Sequence, residues 1–288
     1  MGRNAPGELR RAEALLEGRD PEPSTPRGEI LTIFGAKGGT GKSTLAVNLA
    51  AAVSLGGEES VLVLDLDTRF GDIAIMMGVS ARHTVADLAV RVDELTPDTF
   101  RQSLSRHESG AMVLAAPRHP SEWATVTSTH MHQLVEMGAS LFDYVILDTP
   151  GTFNDVVATG IAVADRVIAV SSLDMTSVRE TAYMLDRLEA DGMPSERVLL
   201  VLNDVNDVDA FRTPNIAKLV HHPVFWSVPY DATIMRATQL GRPIVMMKPD
   251  APAGMSLLGF ANRVAGRDIP VVKRRRRLPI IGRFIRAA

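Results

Sequence analysis

The sequence predicts an α/β fold: a single doubly wound, mostly parallel sheet of about seven strands with helices on both faces, spanning roughly residues 29–268. Two observations carry that prediction. Short runs at 30–34, 61–66, 112–116, 144–147, 167–170, 198–202 and 224–228 are apolar without alternation, as strands buried on both faces are. Between them lie amphipathic stretches of helix length, such as 43–55, 121–137, 175–190 and 232–240.

Composition bounds the reading. Of 288 residues, 45% are hydrophobic and 23% charged, enough apolar material for a sizeable core. Cysteine is absent, which removes disulfides, thiolate zinc sites, cysteine nucleophiles and cysteine-ligated iron–sulfur clusters from this chain. No apolar run approaches the ~18 residues of a membrane span, and residues 1–28 lack the apolar stretch of a signal peptide, so a cytoplasmic protein is expected. Those residues hold Pro6, Pro21, Pro23 and Pro26 among many charges and read as a flexible N-terminal arm. The seven histidines form no metal motif, and the thirteen methionines, most of them within apolar runs such as Met76 and Met77 or Met246 and Met247, read as core filler.

The first apolar run leads into Gly35-Ala36-Lys37-Gly38-Gly39-Thr40-Gly41-Lys42-Ser43-Thr44 and then into an amphipathic helix. Glycines let backbone N–H groups converge on an anion, and a helix N-terminus adds its positive end, so strand, loop and helix form a phosphate-binding loop. Lys42 would neutralise the β and γ phosphates, Ser43 would ligate Mg²⁺, and Thr44 would sit near the α phosphate. Ala36 replaces the first glycine of the strict pattern, a small change. Lys37 adds a second cation at the loop's rim.

Lys37-Gly-Gly-Thr-Gly-Lys42-Ser43 resembles the signature of the deviant Walker A ATPases of the MinD/ParA group. The resemblance covers about residues 29–265 and implies a P-loop NTPase fold, ATP and Mg²⁺ as ligands, and an ATP-dependent homodimer in which Lys37 contacts the partner's nucleotide. It assigns Asp67, after the second strand, to orienting the attacking water and to the metal site. Asp148, ending the strand at 144–148, takes the place of the Walker B carboxylate, and residues 149–151 that of the γ-phosphate-sensing loop. Asn203 stands where the family reads the adenine edge, with Asp204 a departure from the usual basic neighbour. Pro229, Tyr230 and Asp231 resemble the base-flanking loop. Asp65-Leu66-Asp67 with Phe70-Gly71-Asp72 looks most like the CpaE/TadZ branch. The missing cysteines set the nitrogenase iron protein type aside, and the absence of a tyrosine-rich tail sets the bacterial tyrosine kinases aside.

The net charge of −3 conceals an asymmetry. Residues 271–288 carry seven basic residues and no acid, leaving 24 basic against 34 acidic, a net of −10, for the remainder. Arg274, Arg275, Arg276 and Arg277 precede Leu278, Ile280, Ile281, Phe284 and Ile285, which share one arc of a helix at about 100° per residue. Residues 269–288 thus read as a basic amphipathic tail that holds an anionic membrane surface, similar to the short C-terminal helix of MinD proteins. DNA phosphates and a solvated end are the alternative readings of this charge run. The expectation is a cytoplasmic ATPase, peripheral on the inner face of the cell membrane, that positions division, pilus or flagellar machinery with an unidentified activating or cargo protein. A DNA-partition ATPase and a nucleotide-binding scaffold with little turnover are the other classes.

Overall fold

A computed structural model describes residues 27–69, 71–204 and 213–266. Residues 1–26 of the N-terminal arm lie outside the described residues, as do Phe70 and the basic tail with Arg274, Arg275, Arg276, Arg277, Leu278, Ile280, Ile281, Phe284 and Ile285.

The chain builds an eight-stranded sheet: β1 (Glu29–Phe34), β2 (Val61–Asp65), β3 (Ser105–Arg106), β4 (Met112–Leu114), β5 (Tyr144–Asp148), β6 (Arg166–Ser172), β7 (Val198–Asn203) and β8 (Val224–Val228). Their order is β3-β4-β2-β5-β1-β6-β7-β8, and every neighbouring pair is parallel except β3 with β4. The seven predicted runs all form strands. The eighth, β3, is a two-residue antiparallel edge at Ser105–Arg106. It carries no apolar run because it is held by backbone pairing and by the Ser105 hydroxyl, which donates to Ser80 O at 3.0 Å.

Helix α1 (Lys42–Leu55) is buried on nearly all sides: one face lies on the sheet and the other under α10 (Ile244–Met247) and α11 (Pro252–Ala265). Short helices α2 (Ile73–Met76), α3 (Val85–Ala89) and α4 (Pro97–Ser103) follow β2. The stretch expected as one helix over 121–137 is two elements, a 3₁₀ segment at Pro120–Thr125 and α5 (Ser128–Leu141). Thr127 breaks it, turning to extended backbone and accepting from His130 N at 3.1 Å as the cap of α5. Helices α6 (Asp155–Val163), α7 (Met175–Ala190), α8 (Thr213–Leu219) and α9 (Thr233–Gln239) complete the described chain. The methionine reading holds for Met76 and Met77, both buried, and not for Met175, Met235 and Met255, which are exposed.

Candidate functional site

β1 runs up the middle of the sheet and empties into residues 35–41 between β5 and β6, the place where strand order reverses and α/β sheets bind ligands. Gly39 and Gly41 adopt φ of 80° and 90°, which turns successive N–H groups toward one side. Gly41 caps α1 with no side-chain hydrogen bond, and the first turn holds no acid, so the helix's positive end is left to an incoming anion. Ala36 is half-buried, packing against apolar residues of the β6–β7 side, while a Cβ at Gly38 or Gly39 would meet nothing within 4 Å. The mouth of the loop is therefore open.

Lys42 lies 7% exposed at the start of α1, its Nζ donating to Lys37 O at 3.0 Å. Burial pushes its ammonium below the usual lysine range, and Asp148 and then Asp67 pull it back up. The three residues therefore share one electrostatic site. Asp148, at the carboxyl end of β5, accepts from Ser43 Oγ at 2.6 Å through Oδ2. Its Oδ1 is buried without a hydrogen-bond partner among the described residues. Burial raises the Asp148 carboxyl to about 7, against the pull of Ser43 and Lys42. An orphaned carboxylate oxygen beside a serine hydroxyl and a phosphate loop fits a divalent cation of the magnesium kind, which takes one or two protein oxygens and completes its shell with phosphate and water.

Asp65 pairs in register with Asp148 across β2 and β5 and is fully enclosed. Burial and the neighbouring Asp148 hold its carboxyl well above the usual range. It accepts from Asp67 N at 3.1 Å and from Ile73 N at 3.0 Å, so it organises the loop that carries Asp67. Asp67 itself is half-buried beyond the strand end, accepting from Arg69 N at 2.8 Å.

The remaining expected residues converge on the same loop. Thr149 is committed to β1, its Oγ1 donating to Ile33 O at 2.7 Å. Gly151 approaches the loop so closely that a Cβ would come within 2.7 Å of Gly38 N; close approach, not a positive φ, is what requires glycine. Asn203 Nδ2 donates to Thr40 O at 2.8 Å from below, and Thr40 is itself buried. A Cβ at Gly41 would come within 2.1 Å of that amide. Gly41, Thr44, Asn203, Val228 and Ile234 line a small cavity that joins the loop to the end of β8. Past β8, Pro229 and Tyr230 are exposed, whereas Asp231 accepts from Thr233 N at 2.8 Å and Ala253 N at 3.2 Å, tying the loop to α9 and α11.

Sequence reasoning missed the partners of Lys37. Its Nζ donates to Asp174 Oδ1 at 3.1 Å and Thr176 Oγ1 at 2.8 Å, at the start of α7. Asp174 also caps α7 by accepting from Ser177 N at 2.9 Å. Burial acts on its carboxyl upward, yet the hydrogen bonds from Thr176, Ser177 and Ser172 together hold it well below the usual range. The Asp-x-Thr-Ser run was a readable cap; its link to Lys37 is a tertiary contact.

A doubly wound sheet whose central strand opens into a glycine-rich loop, with carboxylates ending β5 beside it and β2 beyond, defines a P-loop NTPase. The chain belongs to the ParA family, described as NUBPL iron-transfer P-loop NTPase, which it matches over residues 27–265. The septum site-determining protein MinD of Synechocystis sp. is 27% identical over 246 residues, 84% of this chain and 91% of the relative. Among solved structures, a ParA family ATPase from Chlorobium tepidum superposes with a TM-score of 0.77 at 21% identity, covering 82% of this chain and 98% of that one. The septum site-determining protein MinD of Pyrococcus horikoshii, complexed with Mg-ADP, gives 0.73 at 19% identity, covering 82% and 96%.

Proposed function

We propose that the chain is an Mg²⁺-dependent ATPase whose ATP-bound dimer attaches to an anionic membrane surface and positions cell machinery there. The observation that carries the nucleotide part is the uncapped start of α1 beside Lys42 and the Ser43–Asp148 pair, with one Asp148 oxygen unpartnered. Backbone N–H groups of 36–44 would cradle the phosphates, with Lys42 on the β and γ groups. Ser43 and Asp148 would hold Mg²⁺, with Asp67 nearby, and the ion when bound would offset phosphate charge.

Hydrolysis is in-line: water adds to the γ phosphorus, the bond to the β–γ bridging oxygen breaks, and ADP leaves with that electron pair. Asp67 orients the water. Lys42, and Lys37 from the partner, stabilise charge on the departing oxygens. Asn203 and the Pro229–Tyr230–Asp231 loop flank the base. The absence of cysteine in this chain leaves no thiolate for an iron–sulfur cargo, which favours a positioning role over iron transfer.

The test is ATP turnover together with ATP-dependent dimerisation by light scattering. Lys42→Ala should abolish turnover, and unchanged turnover would refute the loop assignment. Lys37→Ala should weaken dimer and hydrolysis together; if both stay intact, the trans role is wrong. Asp67→Ala should keep the dimer while slowing hydrolysis by about 10² or more. Loss of the dimer instead would make Asp67 structural. ATP-dependent retention on DNA without lipid binding would support the partition reading.

A further inference from the structure

At the β3 edge of the sheet a cleft of about 740 Å³ opens between three segments: residues 77–82 after α2, residues 105–108 leaving β3, and residues 240–242 between α9 and α10. The segments brace one another. Arg82 N donates to Ser105 Oγ at 3.0 Å, Arg242 donates to Glu108 Oε1 at 2.7 and 3.1 Å, and a Cβ on Gly78 would come within 2.6 Å of Gly241 O.

Three arginines, Arg82, Arg106 and Arg242, line the cleft against one acidic residue, Glu108. Glu108 is committed to Arg242, whereas the exposed side chains of Arg82 and Arg106 have no hydrogen bond or ion pair among the described residues. Burial holds the His107 imidazole below its usual range, so this lining residue adds no charge near neutral pH. Two unpaired planar forks in one cleft match an anion with several oxygens, since guanidinium binds phosphate through paired N–H donors. Val79 and the exposed Leu240 add apolar wall, and the volume lies within the ~300–1,000 Å³ of small-molecule sites.

We propose that this cleft is a second ligand site, separate from the glycine-rich loop, for a free phosphate-bearing small molecule of nucleotide size. Its placement makes it regulatory. Residues 77–82 continue through α2 from the Asp67 loop, which Asp65 grips at both Asp67 N and Ile73 N. Residues 240–242 continue through α9 from Asp231. A phosphate clamped between Arg82 and Arg106 therefore holds one nucleotide-site loop by its far end.

The experiment is calorimetric titration of the full chain, saturated with Mg-ADP to fill the loop, with inorganic pyrophosphate and with AMP. One further binding event is expected, weakened about tenfold or more in the Arg82→Gln/Arg106→Gln double variant while ADP affinity stays unchanged. No second event, or equal binding by the double variant, overturns the proposal. Retention on phosphatidylglycerol vesicles, or capture of polyglutamate, that the double variant loses while pyrophosphate and AMP fail to bind also overturns it. Those outcomes reassign the arginines to a lipid headgroup or an acidic partner.

Discussion

Asp174 shows how one carboxylate serves two structures. It caps α7 and holds Lys37 on the rim of the glycine-rich loop. The two roles separate by substitution, because asparagine caps helices about as well as aspartate whereas alanine does not. Asp174→Ala should therefore cost about 1 kcal/mol of stability, and Asp174→Asn markedly less, although both remove the charge facing Lys37. The pH dependence follows from a carboxyl held below its ordinary range in the fold. Its stabilisation is complete above the unfolded carboxylate value near pH 4 and is lost as pH falls through the lower folded value. Urea midpoints of the native chain and Asp174→Ala should thus differ by a constant amount from pH 5 to 8 and converge only under acid. A gap that opens or closes between pH 5 and 8 would show that another group controls it.

Helix α1 is the element on which the rest is hung, and its burial explains which elements were readable. Leu49 is fully enclosed between the sheet and the covering helices, so Leu49→Ala should cost about 2–5 kcal/mol, whereas Val90, 67% exposed, should tolerate alanine within about 0.5 kcal/mol. Equal losses at the two sites by urea unfolding would refute this packing. Elements buried on both faces write themselves into sequence as apolar runs, and β1, β2 and β4 to β7 were legible for that reason, whereas the half-buried edge strand β8 was legible from its β-branched and aromatic residues. The phosphate loop was legible because its geometry demands glycines and a lysine at fixed spacing. What escaped were chiefly features decided by neighbours distant in the chain. β3 is a strand because Ser105 and Arg106 pair with Val113 and Met112, not because of their own propensity. The 121–137 helix divides because Thr127 caps, a local signal that periodicity overrode. Lys37 with Asp174, 137 positions apart, is a contact that no spacing announces, whereas Asp65 organises the Asp67 loop through Asp67 N and Ile73 N close in sequence.

At the scale of the whole molecule, the two ends of the described chain meet away from the nucleotide site. Arg166, opening β6, bonds Glu29 at the start of β1 and donates to Val264 O at 3.0 Å near the end of α11. Both lie at the amino ends of the strands, while Ser43 and Asp148 lie at the carboxyl ends. Gly266, in the left-handed region at φ 68°, closes α11, and the basic segment begins just beyond it. Removing that segment should therefore leave the ATPase chemistry alone. Among the described residues no helix is long and apolar enough to cross a membrane, and the proposed attachment rests on the basic sequence after Gly266. Each cation close to an anionic surface contributes about 1 kcal/mol, and one short helix is a marginal anchor. Two copies on one ATP dimer act at high effective concentration, so ATP should tighten vesicle binding by about 10²-fold over ADP. Co-sedimentation with phosphatidylglycerol vesicles measures this for the full chain and for a chain ending at Gly266. The truncated chain should lose binding yet keep its ATP turnover in solution within about twofold, and raising salt from 0.15 to 0.5 M should release the full chain. If the truncated chain sediments equally well, the anchor lies in the acidic body and the reading of the tail fails. If ATP and ADP give the same sedimentation, the tail binds without the switch.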